Sequence, residues 1–213
     1  MASCVIGQIA WERQAPCRFI DAPVEYSQNA RIGLAGSHQR WNAALAVAAL
    51  EAAGIIVDHA TQIRGLETVR WPGRFQHITE RLILDGAHNP AAAEALASTW
   101  KENFGARKAT VILGVLADKD VDGVWRALAP VARHVFVVAP KSARALAPHD
   151  LARHLQTYNS PIAIPCDVAE DFAAALAAAL LKEAPILVTG SLFLVGEALA
   201  HLRGEAAFES SAQ

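Results

Sequence analysis

The segment Asp85-Gly-Ala-His-Asn-Pro90 holds the densest group of residues with useful chemistry in this chain. It directly follows the apolar run Leu82–Leu84, which is typical of a short buried strand. The carboxylate of Asp85 can accept hydrogen bonds from ribose hydroxyls, and the ring of His88 can donate to a phosphate. Gly86 lets the backbone approach a ligand closely. The segment therefore indicates a loop that can contact ribose and phosphate groups.

The end of this segment is suited to begin a helix. Asn89 can cap the helix, and Pro90 fits its first turn. The N-terminus of that helix would favour an anion such as phosphate or carboxylate. A capped turn with one surface histidine is the simpler interpretation, because Asp-Gly turns are common. Six specified residues in this context favour the ligand-binding loop.

Two other groups could serve the same site. Arg74 follows the rigid turn Trp71–Gly73, where an arginine can clamp phosphate, although a surface arginine is the ordinary outcome there. Asn42 lies four residues beyond His38, on the same face of a predicted helix start. Its amide can donate and accept together, which suits the edge of a base. A solvated helix start explains that second pattern equally well.

Two later segments also follow predicted strands. Leu113–Asp120 contains Lys119, which could meet a phosphate or a carboxylate, or could be a surface charge. Thr189 and Ser191 flank a glycine at a predicted helix start, where two hydroxyls can form a binding site for a carboxylate. The same residues would also make an ordinary N-cap.

A parallel sheet would bring these loops to one edge. The predicted strands are Leu82–Leu84, Thr110–Val115, His134–Val138, Pro161–Ile164 and Ile186–Val188. The predicted helices are Pro90–Asn103, Val121–Ala129, Pro148–Thr157, Ala169–Glu183 and Leu192–Arg203. Strand and helix alternate, which indicates right-handed crossovers and an α/β fold, a Rossmann-like three-layer domain with a mostly parallel sheet. Ligands bind beyond the carboxyl ends of such strands.

The first third of the chain has a different pattern. We expect helices at Ile6–Arg13, at His38–Ala53 with Ser37 as its N-cap and Gly54 at its end, and at Asp58–Val69. We expect a short strand at Cys17–Ile20 and an irregular connection over Asp21–Arg31. These elements are too few to bury a core alone. We therefore divide the chain near Gln76, into residues 1–75 and 76–213.

Composition narrows the class of protein. Hydrophobic residues make up 53% of the 213 residues and the net charge is -2, so a packed core is expected and no basic stripe suggests nucleic acid. Cys4, Cys17 and Cys166 lack metal-like spacing, which favours reduced thiols in a cytoplasmic protein. The sequence shows no signal peptide or membrane span. It also contains no Gly-x-Gly-x-x-Gly strand-to-helix turn and no Gly-x-x-x-x-Gly-Lys-Ser/Thr phosphate loop (P-loop).

Five segments together resemble the C-terminal half of folylpolyglutamate synthase, or of bifunctional dihydrofolate synthase, in the Mur ligase superfamily. They are Gly36-Ser-His-Gln-Arg-Trp-Asn42-Ala-Ala-Leu-Ala, Trp71-Pro-Gly-Arg74, Leu84-Asp-Gly-Ala-His-Asn-Pro90, Gly114-Val-Leu-Ala-Asp-Lys-Asp120 and Val188-Thr-Gly-Ser-Leu-Phe-Leu-Val-Gly-Glu197. They occur in family order. The resemblance covers residues from about 30 to 203.

The resemblance implies an ATP-dependent amide ligase. Such enzymes phosphorylate a carboxylate of folate or dihydropteroate, and the amine of L-glutamate then attacks the acyl phosphate. It further implies that Asn42 contacts adenine, Arg74 the nucleotide phosphates and Asp85 the ribose. By the same resemblance, His88 is catalytic and lies near the phosphates and the glutamate. Thr189 and Ser191 would also lie near the glutamate.

The chain departs from this family in length. Family members are roughly twice as long, consistent with two domains, and their first domain carries the P-loop, the Mg²⁺ ligands and a modified lysine. By resemblance, residues 1–75 correspond to the end of the central ATPase domain and residues 76–213 to the C-terminal domain. We expect a fragment or a truncated reading frame that is inactive alone and holds no metal ligands. Another Mur-type amino-acid ligase, or a non-catalytic nucleotide-binding fragment, remains the alternative.

Overall fold

The computed structural model describes residues 2–23, 31–157 and 163–205. These residues fall into two compact units. The first comprises the chain up to Gly33 together with Ser37–Val69, and the second comprises Leu34–Gly36 and the chain from Arg70 onward. No helix in the described ranges is long and apolar enough to cross a membrane.

The helices of the first unit are α1 (Ala2–Glu12), α2 (Gln39–Ala52) and α3 (His59–Thr68). The second unit contains β1 (Gln76–His77), β2 (Leu82–Leu84), α4 (Pro90–Phe104), β3 (Ala109–Leu113), α5 (Val121–Leu128), a 3-10 turn (Ala129–Val131), β4 (Ala132–Val137), α6 (Pro148–Thr157), β5 (Cys166–Val168), α7 (Phe172–Leu180), β6 (Ile186–Thr189) and α8 (Leu192–Arg203).

The sheet of the second unit has six strands in the order β1-β2-β6-β3-β4-β5. The short edge strand β1 runs antiparallel to β2, and every other pairing is parallel. Parallel strands need crossovers over a face of the sheet, which α4, α5, α6 and α7 supply. The predicted α/β fold with a mostly parallel sheet is therefore confirmed.

The side chains of the strands alternate between two cores. Val111 and Leu113 of β3 pack on the face that also contains Trp100 of α4, Trp125 of α5 and Leu151 of α6. The intervening residue, Ile112, points into the other core. That second core is completed by α7 and α8, through Phe172, Leu176, Leu194 and Val195. Alternation of this kind is the geometric consequence of a pleated strand, and it produces the predicted three layers.

Side-chain caps fix where four helices of the second unit begin. Asn89 accepts from the Ala92 amide at 2.9 Å, Asp120 from Gly123 at 2.8 Å, Asp171 from Ala174 at 2.8 Å and Ser191 from Leu194 at 3.0 Å. Each cap satisfies one amide that the helix itself leaves unpaired, and each contributes about 1 kcal/mol.

The first unit exposes much of its apolar surface. Ile56 is 98% exposed and Trp11 is 82% exposed. Among its described residues, the buried side chains of α2 are Gln39, Ala43 and Ala44, and the two alanines bury little apolar area. The described part of the first unit therefore offers little apolar area for a core, and the division of the chain near Gln76 stays a prediction.

Two predictions in the first unit are wrong. Ser37 is not the N-cap of α2: His38 occupies that position with helical backbone angles, and the helix begins through a tight turn in which the Arg40 amide donates to the Ser37 carbonyl at 3.2 Å. Residues Cys17–Ile20 form no strand, because a lone extended segment has no neighbour with which to pair its backbone groups. Gly54, at a φ of 69°, ends α2 as expected.

One strand of the second unit was predicted in the wrong place. The apolar residues of Pro161–Ile164 predict a strand there, but β5 is Cys166–Val168, and residues 161 and 162 lie outside the described ranges. The ladder begins where the Pro165 carbonyl accepts from the Val135 amide at 2.9 Å. Edge strand β5 is largely exposed, so its sequence needs no apolar run. Part of the irregular connection Asp21–Arg31 also lies outside the described residues.

Candidate functional site

Two predicted loops meet at the carboxyl ends of adjacent parallel strands. Asp85 follows β2 and Thr189 ends β6, and these strands pair with Leu84 opposite Val188. The Asp85 amide continues the ladder by donating to the Val188 carbonyl at 3.0 Å. The Gly190 amide donates to the Ala87 carbonyl at 3.1 Å. The order of strands thus brings together residues that are about one hundred positions apart in sequence.

The carboxylate of Asp85 is already engaged by two backbone amides. Its Oδ2 accepts from Phe75 at 2.8 Å, and its Oδ1 accepts from Ala87 at 2.9 Å. The residue is only 9% exposed. These bonds tie the turn before β1 to the loop after β2, so Asp85 shapes the site from within. The sequence pointed instead to a carboxylate facing a ligand, and contact with ribose remains a prediction.

The Trp71–Arg74 segment lies directly against the loop after β2. The Gly73 carbonyl accepts from the Gly86 amide at 2.9 Å, and Gly73 has a φ of 69° with Val195 beneath it. The next turn residue, Phe75, has a φ of 41° although it is not glycine, and burial beside Trp100 holds it there. Arg74, between them, is exposed at the same edge of the sheet.

Gly86 serves packing within the protein. A Cβ at this position would lie 2.3 Å from Cδ2 of Leu192, the first residue of α8. The absence of a side chain at Gly86 therefore leaves room for the exposed side chain of Leu192. That Gly86 lets the backbone approach a ligand closely stays a prediction.

The ring of His88 is held in one orientation. Its Nδ1 lies 2.8 Å from the Gly86 carbonyl oxygen, and since a carbonyl only accepts, Nδ1 carries the hydrogen. In the neutral ring Nε2 then holds a lone pair, which can accept a proton but cannot donate one. The sequence prediction of donation to phosphate therefore requires the protonated imidazolium.

Thr189 and Ser191 are nearly inaccessible in this structure. Thr189 is 0% exposed and Ser191 is 2% exposed. Thr189 Oγ1 donates to the Ala87 carbonyl at 3.4 Å, while Ser191 Oγ caps α8. The geometry supports the ordinary N-cap interpretation for Ser191, and the role of both residues in binding an amino acid remains a prediction.

Asn42 belongs to the first unit, where it ends a chain of polar side chains. Its Nδ2 donates to Gln39 Oε1 at 2.9 Å, and Gln39 Nε2 lies 3.0 Å from His38 Nε2. Gln39 is 7% exposed, whereas Asn42 is exposed. The sequence pattern groups His38, Gln39 and Asn42 at the start of this helix but singles out Asn42 alone for binding. It does not indicate that Gln39 is the buried member that orients Asn42.

The loop after β3 carries a charged pair. Lys119 Nζ lies 3.0 Å from Asp118 Oδ2, and this hydrogen bond lowers the pKa of the Asp118 carboxyl below its ordinary value. The Ala117 amide donates to the Arg144 carbonyl at 2.8 Å. The loops after β3 and β4 are therefore joined at the same edge. Within the described ranges, no group of three or more His, Cys, Asp or Glu side chains could hold a metal ion.

Comparisons with known proteins extend this picture. Residues 73–192 match the family described as Mur ligase, glutamate ligase domain. The chain is 34% identical over 186 residues to the dihydrofolate synthase/folylpolyglutamate synthase of Mycobacterium tuberculosis, an alignment covering 78% of this chain and 38% of that relative.

Two solved structures resemble the fold closely. Mycobacterium tuberculosis folylpolyglutamate synthase complexed with ADP and AMPPCP is 34% identical, with a TM-score of 0.74 over 84% of this chain and 43% of that one. Escherichia coli FolC in complex with DHPP and ADP is 25% identical, with a TM-score of 0.79 over 94% of this chain and 51% of that one. The chain spans about half or less of the length of these proteins.

Proposed function

The chain belongs to the Mur ligase family through its glutamate ligase domain, and from this premise we propose that it forms the C-terminal part of an ATP-dependent ligase that adds L-glutamate to folate or dihydropteroate. The observation that supports the proposal is that the turn carrying Arg74 is hydrogen-bonded to the loop carrying Asp85 and His88. Both lie at one carboxyl edge of a parallel sheet, where ligands of such sheets bind. The relative from Mycobacterium tuberculosis is named for both folate activities.

The proposed reaction has two steps. A carboxylate oxygen of the folate attacks the γ-phosphorus of ATP, which releases ADP and leaves an acyl phosphate. The amine nitrogen of glutamate then attacks the acyl carbon, phosphate leaves, and the nitrogen loses a proton as the amide forms. A cationic group near the phosphates stabilises the negative charge that is transferred, and the exposed guanidinium of Arg74 is suited to that role.

His88 is suited to the proton of the second step. Its Nδ1–H is committed to the Gly86 carbonyl, so Nε2 of the neutral ring can accept a proton from the attacking amine. Asp85 acts indirectly. It accepts a hydrogen bond from the Ala87 amide and thereby fixes the turn that carries His88, whether or not it also contacts the ribose.

Other parts of the ligase would come from outside this chain. The sequence contains no P-loop motif, and residues 2–23, 31–157 and 163–205 hold no group of three or more His, Cys, Asp or Glu side chains that could bind Mg²⁺. The aligned part of the chain corresponds to 38% of the Mycobacterium tuberculosis relative. We propose that residues 1–75 complete a central ATPase domain whose P-loop part lies in the remaining sequence. We propose that Asn42 of this domain binds adenine. The exposed Trp11 and Ile56 of the first unit are consistent with a missing packing partner.

The ligase assay gives the first expected result. The 213-residue chain alone should incorporate no glutamate, because activation of the carboxylate needs phosphate and metal contacts from a P-loop domain. The same chain joined to the upstream P-loop sequence should incorporate glutamate on folate or dihydropteroate. Radiolabelled glutamate, with folate and cell-wall precursors as parallel acceptors, measures both. Incorporation by the chain alone, or a preference for the cell-wall precursor, would contradict the proposal.

A substitution at His88 should separate chemistry from binding. In the joined enzyme, His88→Ala is expected to lower kcat by about 100-fold or more while changing the KM for ATP little, because general-base contributions are typically of that size. His149→Ala, an exposed histidine at the start of α6, is the matched control and should leave both constants unchanged. Equal effects of the two substitutions would contradict a catalytic role for His88.

A further inference from the structure

Glu197 of α8 has an unusual carboxylate. Its side chain is 9% exposed, and Oε2 is the buried side-chain atom of the described residues that has no hydrogen-bond partner. Burial raises the pKa of this carboxyl above its ordinary value. An unpaired buried carboxylate oxygen costs free energy. We therefore ask which favourable interaction the other oxygen, Oε1, makes.

The other oxygen faces the loop after β4. Lys141 Nζ lies 3.8 Å from Glu197 Oε1, and its positive charge lowers the pKa of the carboxyl against the larger effect of burial. A cavity of about 170 Å³ adjoins the pair, and its other charged or titratable lining residues are Asp171 at the start of α7, His201 of α8 and Glu205. Lys141 thus supplies the nearby positive charge from a different element, the loop between β4 and α6.

That loop is connected in turn to the loop after β3. The Ala117 amide donates to the Arg144 carbonyl at 2.8 Å, and the Leu146 amide donates to Val115 at 3.0 Å. Leu116 and Ala145 form an antiparallel bridge between the two loops. A shift of Lys141 would therefore also move the loop that carries Lys119, at the carboxyl edge of the sheet.

We propose that Glu197 is a positioning residue: from α8 it fixes the loop after β4 through Lys141, and through that loop it sets the place of Lys119 at the ligand-binding edge. The functional part of this inference rests on the proposed ligase function, which makes that edge the site. Lys119 itself lies 3.0 Å from Asp118, so the loop presents a charged pair whose position depends on a carboxylate in another layer of the molecule.

The test is amide hydrogen exchange on the 213-residue chain without nucleotide. Glu197→Gln keeps the shape but removes the charge, and should speed exchange of amides in residues 115–119 and 141–146 by about twofold to fivefold, the size expected for a partly exposed ion pair. The melting temperature at neutral pH should not fall, because the substitution also removes a buried charge. Glu94→Gln, an exposed glutamate of α4, should change neither quantity.

The dependence on pH and on Lys141 completes the test. Protonation of Glu197 removes its attraction to Lys141, which is the interaction that lowers the pKa of this carboxyl against the larger effect of burial. A fall in pH should therefore loosen the loops in the natural chain, after correction for intrinsic exchange rates. Glu197→Gln should abolish this dependence. Lys141→Met should reproduce the effect of Glu197→Gln, and Lys141→Arg should restore protection.

Two results would overturn the proposal. One is unchanged loop exchange in Glu197→Gln. The other is faster exchange throughout the second unit together with a lower melting temperature, which would mean that Glu197 only contributes to overall stability. None of these measurements uses ligase activity, so they decide the role of Glu197 even where the glutamate assay fails.

Discussion

Replacement of Asp85 by alanine is expected to lower the free energy of unfolding by about 2–4 kcal/mol. The substitution leaves the Phe75 and Ala87 amides without their acceptor, and both bonds are short, at 2.8 and 2.9 Å. Because the site is buried, water cannot readily replace the lost oxygens. The loss should appear with no nucleotide present, which separates it from any effect on binding.

A graded series tests the expectation for Asp85. Asp85→Asn keeps one acceptor oxygen and should cost about half as much as Asp85→Ala. Asp118→Ala, at an exposed carboxylate on the same edge, should change stability by about 0.5 kcal/mol or less. Urea unfolding measures all three through the midpoint at constant m-value. If Asp85→Ala proved as stable as the natural chain but weakened ATP binding in the joined enzyme, Asp85 would be a ligand contact instead.

The elements that could be predicted from sequence are those whose boundaries are set locally. Pro148 begins α6, and Ser191 caps α8, so the predicted bounds of both helices agree with the structure. Buried strands of a parallel sheet must be apolar on both faces, which made β2, β3 and β6 recognisable. The edge strand β5 has no such requirement, and the sequence pattern therefore led to the wrong segment.

The candidate site also has features that the sequence could predict and features that it could not. Its place at the carboxyl edge follows from strand-helix order, so the loop after β2 and the residues around Thr189 could be expected to meet. The direction of the Asp85 side chain could not be expected, because one donor to it is the amide of Phe75, ten positions earlier and in a positive-φ turn. The same limit applies to Glu197, whose partner Lys141 is close only after the chain has folded.

A substitution at Gly190 should show how tightly this edge is packed. Gly190 has a φ of 104°, which side chains rarely adopt, and a Cβ there would lie 2.6 Å from the Gly114 carbonyl oxygen. Gly190→Ala is therefore expected to cost about 3–5 kcal/mol, from backbone strain together with a clash against backbone that cannot easily move. The glycine conformation also lets the Gly190 amide reach the Ala87 carbonyl at 3.1 Å.

Gly196→Ala provides a control in α8, six residues away. Its backbone is helical, and nothing lies within 4 Å of the position a Cβ would take, so alanine there should raise stability by about 0.5–1 kcal/mol. Both substitutions restrict the unfolded chain to the same degree, and the difference between their unfolding midpoints therefore reports on the folded state alone. If the two variants differed by less than about 1 kcal/mol, the strand ends could separate at little cost, and the edge would be adaptable. The expected large difference instead means that the loops after β2, β3 and β6 are held in place before any ligand arrives, since Gly190 contacts the first two from the end of the third.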